Sequence, residues 1–370
     1  MNTAEPKPRA LVSPDADFWL VGGLSLAAFA AFVLITEVAG IVPQRGQYFW
    51  VFYASFIISN PHFIYSYLLF YRGFWTRLTS KETEPLSRLR MIVAGFAVPT
   101  VMAGFAGYAL AYPDPRYAHW ALNAMVFSLG WHYVKQGYGV LITLSLYEGV
   151  LYDAAEKRIL WLNAYAMWIY SWICSIVYGV DLFNPVGMPP DHTNPLPAGA
   201  DKPALLGIVI ALPAAVTLVR HWRRTGGMAV NAVMGYACAA WMWIMMPFIN
   251  PLFIYIIPLF HGLQYLPFVF KMKKSEFRGE QATAKGSAAR LRDARLRVAV
   301  FTLLGLALSV LIFESLPKYL GGISAARHPG LSDSFSLLTL MSFVNIHHFF
   351  MDSAFWRRDN AEVQKNLFHA

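Results

Sequence analysis

The sequence predicts an all-α fold, a polytopic bundle of about ten membrane-spanning helices with both termini cytoplasmic. Three observations predict it. Charged residues make up only 14% of the 370 residues against 57% hydrophobic ones, too little charge to cover the surface of a water-soluble protein of this size. The apolar residues come in blocks of roughly 20, the length that crosses about 30 Å of hydrocarbon at about 1.5 Å per helical residue. The basic residues are also sorted by side. On a ten-span reading Arg45, Arg116, Lys202, Lys318 and Arg327 lie outside, Lys135 lies within a helix, and every other lysine and arginine lies inside. That bias is the positive-inside pattern, which supports an even number of spans with both termini inside; the expected location is the cell (inner) membrane.

The first apolar block sets a helix at 18–42. It follows a polar tail, residues 1–17, and shows no cleavage site, so it reads as a span rather than a removable leader. Helices follow at 48–71, 91–112, 117–146, 159–180, 203–220, 227–249, 251–270, 298–317 and 333–356, forming one transmembrane domain over 18–356. Breakers separate them: Pro113-Asp114-Pro115, the proline-rich stretch from Asn184 to Pro197, Thr225-Gly226-Gly227 and Asn250-Pro251. The loop 271–297 carries Lys273, Lys274, Arg290, Arg292 and Arg295. It reads as a basic segment on the cytoplasmic membrane surface, with a docking point for a soluble partner as the alternative reading. Residues 357–370 form a second cytoplasmic tail. The formal charge of +9 then reports topology and attraction to anionic membrane lipids, so a nucleic-acid partner is unnecessary. Cys174 and Cys238 fall in apolar blocks without metal-type spacing and read as packing residues.

Of the ten histidines, His119, His192, His221, His328 and His369 fall in loops, helix ends or the tail and read as solvated side chains. The other five fall inside predicted spans, where an ionisable group is costly and marks function by default. They occur in Ser59-Asn60-Pro61-His62, Gly130-Trp131-His132-Tyr133, Leu259-Phe260-His261-Gly262 and Asn345-Ile346-His347-His348. Depth sharpens the argument. His62, His261 and His347 are each followed by eight residues and then an aromatic-basic pair: Tyr71-Arg72, Phe270-Lys271 and Trp356-Arg357. Such a pair marks where a helix leaves the hydrocarbon. Each histidine therefore sits about 15 Å above one boundary, near the midplane. His132 lies mid-way along its own helix, and the four helices run in one direction.

Imidazoles at one level can share a metal, and imidazole suits iron, copper and zinc. His62, His132, His261 and His347 are the candidate ligands, with His347 preferred to its neighbour His348 because it holds the register. Gln136, Tyr265 and Asp352 stand four residues beyond His132, His261 and His348, where side chains share a helical face and orient an imidazole. Ordinary interhelical hydrogen bonding is the alternative reading for each of these groups.

These motifs resemble those of the Brp/Blh membrane family of beta-carotene 15,15'-dioxygenases. The strings that carry the resemblance are Pro61-His62, Trp131-His132-Tyr133, the run from Phe253 through His261 to Phe270, and His347 through Asp352. The chain departs from the family pattern at Tyr265, where the family has a second histidine, and at Ser66 and Gln136-Gly137, where it has acidic residues. It also carries the additional His348. The resemblance implies a non-heme Fe(II) held by histidines and oxidative cleavage of a conjugated polyene.

The functional expectation is thus a membrane non-heme iron oxygenase acting on a lipophilic substrate: a carotenoid, another isoprenoid or an acyl lipid. Two alternatives use the same residues. A heme- or quinone-binding or transport protein would ligate heme or relay protons through them, although no paired broken helices point to transport. A di-iron desaturase or hydroxylase would carry HxxxH and HxxHH boxes, and neither occurs.

Overall fold

The computed structural model describes residues 10–40, 45–112, 114–177, 201–249, 253–282, 293–327 and 333–368. The first nine residues, the Asn184 to Pro197 stretch, Asn250-Pro251, Arg290, Arg292, His192, His328 and His369 lie outside the described residues. Among those described there is no strand. The described residues form ten long helices: α1 (14–38), α2 (Arg45–Tyr71), α4 (Pro85–Ala111), α5 (Pro115–Tyr147), α6 (Ala154–Val177), α7 (Asp201–Thr225), α8 (230–249), α9 (Phe253–Ala282), α10 (294–327) and α11 (Asp333–Phe355). Two short ones, α3 (Phe74–Thr79) and α12 (361–368), follow α2 and α11. Each long helix coincides with one predicted apolar block, because a helix satisfies the backbone hydrogen bonds of an apolar segment within that segment.

Among the described residues five stretches are long and apolar enough to cross a membrane: Pro14–Thr36, Pro85–Ala111, Leu205–Thr225, Val230–Pro247 and Ala294–Ile323. They are the signature of an integral membrane protein. None belongs to the four helices that carry His62, His132, His261 and His347-His348. Those four carry polar groups inward, which lowers their hydropathy, whereas α4, α7 and α10 leave large apolar side chains such as Val101, Leu205 and Leu303 exposed. That exposure is unfavourable in water and suits lipid.

The chain divides into two compact units, residues 1–58 with 130–267 and residues 59–129 with 268–370. In the first unit α1, α5 and α8 approach closely because small residues face one another. A Cβ on Gly137 would stand 2.6 Å from the Ala239 Cβ, and one on Gly235 2.6 Å from Val140. Such stripes allow the close helix packing that lipid by itself does not drive. In the second unit Tyr65 stacks on Phe301 at 4.9 Å, over Gly305.

Two basic residues depart from expectation. Lys273, expected on a surface-lying segment, is buried, because α9 runs on past the Phe270-Lys271 pair to Ala282 and turns Lys273 inward. Its ammonium meets Glu276 at 2.8 Å and lies between the Phe277 and Phe301 rings. Burial pulls its pKa down, opposed by Glu276. His221, expected in solvent at a helix end, is also buried, with Nδ1 3.0 Å from the Glu156 carboxylate. The partner lies 65 residues away, beyond the reach of any local pattern.

The C-terminal helix is pinned by Arg77. α2 ends on Gly73 at φ +63°, the left-handed stop that glycine favours, and leaves its last carbonyls without helical donors. Arg77 donates to the carbonyls of Phe70 and Arg72 and pairs with Glu362 of α12 at 2.8 Å. Burial raises the Glu362 pKa above the ordinary carboxyl value, outweighing the opposing pull of Arg77, Lys273 and Arg72; Glu276 adds to the rise. A raised folded-state pKa contributes stability that is fully present below the unfolded value of about 4.3 and is lost as pH rises through the folded value. Hydrogen exchange in 361–368 is therefore expected to quicken as pH rises above about 4.3, after correction for intrinsic exchange. Glu362→Gln should flatten that dependence, and an unchanged slope would refute the assignment.

Candidate metal centre

In the second unit the site begins with Ser59. His62 stands three residues on, and its Nδ1–H donates to the Ser59 carbonyl at 2.5 Å. A carbonyl has no proton to give, so the hydrogen lies on Nδ1 and Nε2 carries the lone pair. Metal-bound histidines are oriented in this way. That Nε2 faces Nε2 of His348 on α11 at 3.2 Å, with the rings perpendicular. Asp352, one turn along α11, brings Oδ2 to 3.6 Å from the same His348 nitrogen. Phe63 packs on both imidazoles, at 4.2 and 4.9 Å. All three polar side chains are buried.

The depth register favours His347, and the structure sets His347 among other groups. Its Nε2 lies 3.0 Å from the Ala94 carbonyl and its Nδ1 lies 2.8 Å from the Tyr67 hydroxyl. Ala94 can only accept, so Nε2 carries the hydrogen, and Tyr67 donates to Nδ1. Both ring nitrogens are thereby committed to the protein. The acceptors have a cause in sequence. α4 widens into a π turn at Val93–Ala97, where Val98 N–H donates to Val93 rather than Ala94, and Pro99 has no N–H to offer either Ala94 or Gly95. His347 takes the first orphaned carbonyl. The Tyr71 hydroxyl donates to the second at 3.0 Å.

In the first unit the Nε2 atoms of His132 on α5 and His261 on α9 also stand 3.2 Å apart, and both side chains are buried. Tyr133 lies against the His261 ring at 4.5 Å. Gln136 donates to the His261 carbonyl at 3.3 Å and to Oε1 of Gln264 at 3.0 Å. Gln264 in turn donates to the carbonyls of Val21 on α1, at 2.6 Å, and Gly235 on α8, at 3.1 Å. A single side chain thus fixes α9 against three helices. Tyr265 is buried on α9, and Lys135 lies over the Trp131 ring at 4.9 Å.

The sequence reading passes over Gln264 and Tyr67, and takes Tyr71 only as the aromatic of an exit pair. Gln264 had a signal: a lone amide in the run Leu263 to Phe270 is as costly in hydrocarbon as a lone histidine. Tyr67 and Tyr71 share a helical face four residues apart, but tyrosines are common in such helices and only their partner on α11 distinguishes them.

The spacing within each pair suits metal ligation. With metal–nitrogen bonds of about 2.1 Å, neighbouring ligands stand about 3.0 Å apart in an octahedral site and about 3.4 Å in a tetrahedral one. Both pairs fall in that interval, whereas trans ligands on a single haem iron would stand about 4 Å apart, at twice such a bond length. No family model, curated protein or solved structure matches the chain.

Proposed function

We propose that the chain is a non-heme iron oxygenase of the cell membrane, with ten spans and both termini cytoplasmic, acting on a lipophilic substrate. The observation that carries this reading is the pair of 3.2 Å Nε2–Nε2 separations, each joining histidines distant in sequence. His62, His348 and Asp352 have the two-histidine, one-carboxylate composition that suits non-heme Fe(II). His132 and His261 form a separate pair of neutral donors within the first unit. Fe(II), when bound, supplies the activation of dioxygen.

The protein's own residues do the rest. The Ser59 carbonyl fixes the His62 tautomer, Gln136 and Gln264 hold the α9 backbone at His261, and Asp352 balances the charge beside His348. Phe63 and Tyr133 wall the imidazoles with apolar surface that excludes water and suits a flat hydrocarbon. The likeness of the histidine segments to the carotene-cleaving family supports a conjugated polyene as substrate.

Protein purified in detergent from iron-replete cells is expected to hold iron in fixed ratio to chain, to show no Soret band, and to consume dioxygen only when a polyene or lipid is supplied. Metal-free protein of native helicity would overturn the reading, and a Soret band would replace it with the heme alternative.

A further inference from the structure

The start of α6 and the end of α7 lie side by side, tied by His221 Nδ1 to Glu156 at 3.0 Å and by Arg224 to Asp153 and Glu156 at 3.2 and 2.9 Å. The two carboxylates are heavily engaged. Asp153 accepts from the Glu156 backbone N–H and Glu156 accepts from that of Asp153, each at 2.9 Å, which is a reciprocal helix cap. Glu156 also receives His221, and Arg224 spans both acids. What remains at this end is positive: Lys157 and Arg158 beside Glu156, and Arg220 and Arg223 beside His221 and Arg224. None of those four makes an ion pair among the described residues.

Below the cations the exposed surface turns apolar. Val219, Val216, Leu212 and Val209 follow one another down α7, and Leu162 and Ile169 lie exposed on α6. From Val219 to Val209 is about 15 Å along the helix, half the hydrocarbon thickness and so one leaflet. Trp161 and Trp222 are exposed at the charged end, the level at which tryptophan meets lipid headgroups.

We propose that the paired ends of α6 and α7 bind one anionic phospholipid, its phosphate held by Lys157, Arg158, Arg220 and Arg223 and its acyl chains lying along the apolar face of the hairpin. The assignment rests on the membrane reading and is independent of the metal. The occupant follows from charge complementarity with an apolar track of leaflet length: a free phosphate would leave the track empty, and a zwitterionic lipid would leave the cations uncompensated.

The full chain in detergent, offered phosphatidylglycerol or phosphatidylcholine and weighed by native mass spectrometry, is expected to retain one phosphatidylglycerol with at least a ten-fold preference. The quadruple variant Lys157→Gln, Arg158→Gln, Arg220→Gln, Arg223→Gln should lose that preference while keeping its helicity. A control with equal charge removed elsewhere, Lys274→Gln, Arg278→Gln, Arg295→Gln, Arg358→Gln, should keep it. Equal binding of both lipids by the wild-type chain, or loss of preference in both variants alike, overturns the site. Release of the chain from membranes by alkaline carbonate would instead overturn the membrane reading.

Discussion

Replacing His348 with alanine is expected to weaken iron binding by more than 100-fold, leaving the purified protein essentially without metal, and His62→Ala should do the same. Each removes a donor from a buried pair, whereas loss of an outer partner that only orients a ligand costs roughly 10- to 100-fold. His347→Gln is the discriminating comparison. Both its ring nitrogens are committed to Ala94 and Tyr67, so this variant should retain at least half the iron, with a shifted ligand-field spectrum if His348 tilts. Tyr67→Phe should behave like it. Loss of iron on His347→Gln with retention on His348→Ala, read by metal analysis of folded protein, would restore His347 as the ligand and reject the pairing described here.

The second large effect concerns packing. Gly137→Leu is expected to lower the thermal stability of the detergent-solubilised protein and to reduce its iron content together. Even a Cβ at Gly137 meets the Ala239 Cβ at 2.6 Å, and a Cβ cannot rotate away as the end of a long side chain can. α5 must therefore shift from α8. Overpacking of this kind costs about 1–3 kcal/mol, occasionally more. The displacement has a direct route to the site, because Gln136 is the preceding residue and donates to the His261 carbonyl. Gly104→Leu is the control, since nothing lies within 4 Å of a Cβ there, and it should alter neither property. Equal melting temperatures for wild type and Gly137→Leu would show that the two helices are not held in this contact.

Much of the fold was legible in the sequence. Each of the ten apolar blocks coincides with a long helix among the described residues, because a helix satisfies the backbone hydrogen bonds of an apolar segment within that segment. The ends were less legible. α9 passes its expected exit at Phe270-Lys271 by eleven residues, since nothing requires a helix to stop where hydrocarbon does, and in doing so it buries Lys273.

The candidate site divides in the same way. Cost in hydrocarbon singled out the histidines one by one, and the repeat of eight residues before an aromatic-basic pair gave the level expected of His62, His261 and His347. The choice between His347 and His348 lay beyond that argument. Adjacent residues differ by about 1.5 Å in depth but by about 100° around the helix, and azimuth decides whether an imidazole meets His62 or the carbonyl of Ala94. His221 and Glu156, or Gln264 with Val21 and Gly235, were hidden for a related reason: their partners come from other helices. The sequence by itself determined the helices and the apolar surface they leave exposed, because hydrophobic burial is read along one dimension. Only the tertiary structure decided which nitrogens face each other, because that depends on how helices turn and pair in the other two.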